Sequence, residues 1–79
     1  MNIMIQQEYV HGFRVRYEDP ARDGVYHLKH KIDKPEAEVF FNQAREKELA
    51  HFEDQYDRDY VIAYSRCDNF YYVIRTVEH

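Results

Sequence analysis

The chain has 79 residues, enough for one domain with a modest core, since a domain of this size buries roughly 60% of the surface its unfolded chain exposes. Eight tyrosines and five phenylalanines against two glycines and two prolines argue for a packed fold, and a single cysteine, Cys67, excludes an intrachain disulfide. A formal charge of −4 is too mild to mark either a nucleic-acid binder or a polyanion mimic, so where the charges fall matters more than their sum.

The first residues, Met1 to Glu8, lack the basic head and long apolar run of a secretory signal. No stretch approaches the roughly 20 apolar residues of a membrane helix. With a lone thiol, these features make the cytoplasm the expected setting, with no membrane partner.

From Tyr9 to Tyr17 the pattern alternates, with Tyr9, His11, Phe13, Val15 and Tyr17 on one face and Arg14 and Arg16 on the other, as in a half-buried strand. Ile3 and Ile5 continue the same parity, and Gly12 allows a bend or bulge within the strand. Pro20 and the Asp23-Gly24 pair then punctuate a turn. A second alternation, Tyr26, Leu28, His30 and Ile32 against His27, Lys29 and Lys31, reads as the partner strand of a hairpin.

Helix-start signals follow. Asp33 or Lys34 stands at the cap, Pro35 at the first turn, and Glu36 three residues after Asp33, as in a capping box. Ala37, Phe40, Phe41, Ala44, Leu49, Phe52 and Tyr56 lie near helical spacing, predicting one helix from Pro35 to about Tyr56. Two further strands, Tyr60 to Cys67 and Phe70 to Val77, flank a two-residue turn at Asp68-Asn69. The expected pairs are Cys67 with Phe70, Ser65 with Tyr72, Ala63 with Ile74 and Val61 with Thr76. The predicted fold is therefore α+β over residues 1–79: a four-stranded antiparallel sheet with one helix across one face, β-β-α-β-β, with strand order open.

A helix over the face of Phe13, Val15, Leu28, Ala63, Tyr72 and Ile74 leaves a second face bearing Tyr60, Ile62, Tyr64, Arg66, Tyr71, Val73 and Arg75, with Arg14, Arg16, Lys29 and Lys31. Six of the eleven basic residues fall there. Tyrosine and arginine are enriched at protein-binding hot spots, and an apolar centre of Ile62 and Val73 favours a partner protein or a second copy. The same residues suit single-stranded nucleic acid, with rings stacking on bases and cations on phosphates, although no RNA-binding motif string is present. An ordinary solvated face is the bland alternative, since tyrosine favours strands.

Catalytic and metal chemistry finds little support. The histidines His11, His27, His30, His51 and His79 show no ligand-spacing motif, although His11 and His30 share a face and Cys67 or Glu48 are conceivable additional ligands. Glu48 and His51 sit one helical turn apart, yet drift of the apolar stripe explains both without a pocket. Cys67 reads as a small hydrophobe at a strand end. With no phosphate-cradling glycine loop, no Cys-x-x-Cys and no nucleophile elbow, the expectation is a non-catalytic interaction domain without cofactor or metal, a regulator or inhibitor acting by docking on a partner or as a homodimer.

Overall fold

The computed structural model describes residues 4–76; Ile3, Val77 and His79, which the readings above drew on, lie outside the described residues. The class is α+β, but the architecture differs from the expectation: five strands form one mixed sheet, and two helical segments pack on it. The four-stranded antiparallel sheet with a single helix is overturned at three places, each with a local cause.

The first is Gly12. His11 (φ 51°) and Gly12 (φ 91°) both take positive φ and form a tight two-residue turn between β1, Gln6–Val10, and β2, Phe13–Tyr17, with Val10 opposite Phe13. What read as one bent strand is a hairpin. Parity flips through the turn, so Tyr9 faces away from Phe13, Val15 and Tyr17.

The second is the expected strand at Tyr26 to Ile32. After a short 3-10 turn at Asp19–Ala21, the chain forms α1, Arg22–Tyr26, and continues as a π-helical turn, His27–Lys31. The buried positions are Ala21, Gly24, Val25 and Leu28, which is helical spacing. The competing alternation had put Tyr26 and His30 beside Leu28 in the core, and both are exposed.

The third is the C-terminal half of the long helix. Helix α2, Lys34–Lys47, begins after an extended Asp33, carries Pro35 in its first turn and buries Ala37, Phe41 and Ala44. Glu48 takes a left-handed conformation (φ 74°) and stops it. Leu49–Glu53 then forms β3, whose Ala50 and Phe52 point inward between exposed neighbours.

The last two strands are β4, Asp59–Ser65, and β5, Phe70–Arg75. Their turn spans four residues rather than two, so Ser65 faces Phe70, Ala63 faces Tyr72 and Val61 faces Ile74, a shift of two residues from the expected register that preserves which residues share a face. Sheet order is β1-β2-β5-β4-β3, with β2 and β5 parallel at the centre and every other pair antiparallel.

One hydrophobic core lies between the helices and one face of this sheet. Val10, Val15, Leu28, Phe41, Tyr60 and Ile62 are fully buried in it. Full burial of such a side chain is worth about 1.5–3 kcal/mol. Phe13 stacks on Phe41 at 4.3 Å, and Tyr71 meets Phe41 edge-on at 5.0 Å. Helix α1 approaches so closely at Gly24 that a Cβ there would lie 2.6 Å from the Tyr60 ring.

Candidate functional site: the uncovered sheet face

With both helical segments on one side, side chains of the opposite parity form a second, uncovered sheet face. Its register rows run Gln7, Arg16, Tyr72, Ala63, Leu49 across the middle, with Tyr9 and Arg14 towards one end and Ile74, Val61 and His51 towards the other. Tyr9 is 59% exposed, Ile74 52% and Leu49 50%. Ile5, also exposed, joins Tyr72, Ile74 and Ala63 along a shallow groove of about 270 Å³ that Arg16 and Glu18 also line. An exposed cluster of large apolar side chains of this kind is unusual on a chain that works alone.

Arginine shapes one side of this face. The guanidinium carbons of Arg14 and Arg16 lie 4.0 Å and 3.6 Å from the centroid of Phe70, which is thereby only 3% exposed. Arg16 Nη1 donates to the Tyr72 hydroxyl at 3.2 Å, and Arg14 Nε is buried with no partner. Among the described residues neither arginine has a carboxylate within ion-pair distance. Two adjacent, uncompensated cations attract an anionic group of a partner. At the far corner Glu53 and Asp59 are cross-strand neighbours with the same outward parity, giving the face an acidic end.

The residues expected to form the platform are not all here. Arg14 and Arg16 are. Tyr60, Ile62, Tyr71 and Val73 instead lie in the core beneath the helices. Tyr64, half-buried on the same inner side, donates to Asn69 Oδ1 at 3.0 Å and lies 5.8 Å from the Arg45 guanidinium. Arg66 is exposed in the β4–β5 turn, Arg75 is exposed at the end of β5 with inward parity, and Lys29 and Lys31 are helical. The residues missed are Tyr9, Leu49, Phe70, Tyr72 and Ile74. Bulk gave no consistent signal for them: Tyr60, Ile62 and Tyr64 outweigh Val61, Ala63 and Ser65 on β4, but Phe70, Tyr72 and Ile74 outweigh Tyr71, Val73 and Arg75 on β5.

A second polar centre sits at the β3–β4 loop. Buried Asp54 accepts four hydrogen bonds: Oδ1 from the backbone N–H of Tyr56 (2.8 Å) and Arg58 (3.0 Å), Oδ2 from Arg58 Nε (2.8 Å) and the Tyr60 hydroxyl (2.9 Å). Burial alone pushes its pKa up, but these donors together outweigh burial and hold it at about 2. Burial and the same carboxylate push the Tyr60 hydroxyl up to about 12. A cleft of about 500 Å³ opens beside this loop, lined in part by Tyr26, His27, Lys31, Tyr56 and Arg58. With its donors in place Asp54 is a poor proton acceptor, and Arg58 is further engaged by Asp23 at 3.0 Å, so the centre braces the loop.

The histidines disperse. His11 donates its Nε2–H to the Leu28 carbonyl at 2.9 Å, His30 lies against the Tyr26 ring, and His51 points outward on β3. Helical placement of His27 and His30 replaces the strand reading of that pair. Cys67 is exposed in a turn, and among the described residues no three His, Cys, Asp or Glu side chains are grouped to hold a metal. Among the same residues no helix is long and apolar enough to cross a membrane. Compared with protein-family models, curated proteins and solved structures, the chain matches none.

Proposed function

We propose that this chain is a small non-catalytic interaction domain, a regulator or inhibitor that works by docking the uncovered sheet face on a protein surface. The observation that carries the reading is that face itself: exposed Ile5, Tyr9, Leu49 and Ile74 surround Tyr72, with the uncompensated Arg14 and Arg16 beside them. Aromatic and arginine side chains around an apolar centre are the composition of binding hot spots. To test it, wild type and Ile74→Lys are immobilised and exposed to the same cell extract. A protein retained by wild type and lost with Ile74→Lys supports docking through this face; equal retention, or no retention by a wild type that is also monomeric, removes the reading.

A second reading, single-stranded nucleic acid, is favoured by the unpaired arginines beside Tyr9 and Tyr72. It ranks lower because Phe70 is covered by the guanidiniums and Tyr60 and Tyr71 are in the core, leaving few rings free to stack. Binding to mixed-sequence oligonucleotides that falls steeply with salt, and is abolished by Arg14→Ala with Arg16→Ala, would put this reading first.

A further inference from the structure

The charges on the uncovered face point to its occupant, an inference that rests on the docking reading above. Arg14 stands near the start of β2 and Arg16 in its middle row. Asp59 stands two strands away on β4 and Glu53 three strands away on β3, both at the opposite end of the sheet. At about 4.8 Å between strands and 3.3 Å per residue, the basic and acidic groups are diagonal corners roughly 20 Å apart. The apolar residues Tyr72, Ala63, Val61 and Ile74 lie between them.

We infer that the occupant is a second copy of this chain, packed face to face about a two-fold axis that runs along the other diagonal. Such a rotation exchanges the two charged corners. Each protomer's Arg14 and Arg16 then lie over the other's Glu53 and Asp59, and the apolar centre packs on itself. Because that axis is inclined at roughly 45° to the strands, the two sheets cross near a right angle, one of the two preferred sheet-packing geometries. Glu18, which lines the same groove, falls close to this axis, so the contact also sets it beside its own copy. Five strands of this length offer roughly 500 Å² in plan on each copy, about 1,000 Å² for the pair, the size a specific interface must clear. A two-fold contact of one patch with itself is also the commonest mode of self-association.

The test is sedimentation equilibrium on wild type, Ile74→Lys, an Arg14→Glu/Arg16→Glu variant and a Glu53→Arg/Asp59→Arg variant, each checked for folding by circular dichroism. Wild type is expected to dimerise reversibly, and Ile74→Lys to weaken the dimer at least about 30-fold. Each charge-reversed protein is expected to be monomeric alone, and an equimolar mixture of the two to recover a heterodimer, because the mixture restores opposite charges at both contacts. If the arginine variant fails to fold, Glu53→Arg/Asp59→Arg and Ile74→Lys carry the test, the first expected to be monomeric and the second to show the weakened dimer. A wild type that is monomeric at hundreds of micromolar overturns the inference, as does a dimer indifferent to these changes or a mixture of folded variants that stays monomeric. A monomer whose Ile74-dependent capture of another protein persists overturns self-association alone; a monomer with no such capture removes the docking reading as well.

Discussion

Replacing Asp54 by Asn tests the brace at the β3–β4 loop. The amide keeps one oxygen for the Tyr56 and Arg58 N–H groups but turns an NH₂ towards Arg58 Nε, where donor now meets donor. Breaking a buried ion pair costs about 3–5 kcal/mol; Arg58 is 28% exposed and keeps Asp23, so a loss of about 2–4 kcal/mol at neutral pH is expected. The pH dependence is more diagnostic. The carboxyl titrates at about 2 in the fold against an ordinary 3.8, which at about 1.4 kcal/mol per tenfold in proton affinity is roughly 2 kcal/mol. Because the folded value is depressed, this contribution is complete above about pH 5 and fades as pH falls through 4 towards 2. Urea unfolding followed by circular dichroism gives the stability of both proteins across that range. The gap between them should shrink by roughly 2 kcal/mol on acidification, and a gap that stays constant would refute the reasoning.

Three further outcomes are expected. Gly24→Ala gains about 1 kcal/mol of helix propensity but drives a methyl into the Tyr60 ring, which is held by Asp54, so a net loss of about 1–2 kcal/mol in the same unfolding assay is expected. Glu48→Gly relieves a left-handed residue at the exposed end of α2 and should stabilise by about 0.5–1 kcal/mol; a loss would show that the Glu48 side chain contributes unrecognised contacts. In an alkaline absorbance titration Tyr17 and Tyr60 should ionise only near pH 12, Tyr17 because of burial and its 2.5 Å bond to Glu8, and Tyr17→Phe or Tyr60→Phe should each remove one late step.

How much of this was legible follows from which interactions are local. The start of α2 at Asp33 and Pro35 and the pairing groups of the last hairpin were readable because proline at a first turn and alternation act over a few residues, although the expected capping box does not form: Asp33 makes no side-chain capping hydrogen bond. The strand reading of Tyr26 to Ile32 failed because Leu28 satisfies both periods, and only the burial of Val25 and Gly24 decides for a helix. The candidate site was half readable. Arg14 and Arg16 fell on the correct face, but both faces of the final hairpin are apolar and aromatic, so alternation says nothing about which one turns inward. That choice is made by the parallel pairing of Val15 with Tyr71 and Tyr17 with Val73, a long-range contact with no local signal.

That same central pairing constrains how the chain reaches its fold. Strand β5, the last described, is inserted between β2 and β4 and bonds to a strand 56 residues earlier. Until β5 has been synthesised, β2 has an unfilled edge and the sheet has no middle, so a growing chain cannot commit to this structure piecemeal. Folding must wait for a long loop to close around β5, which favours slow, all-or-none assembly and exposes β2 to wrong partners in the interval.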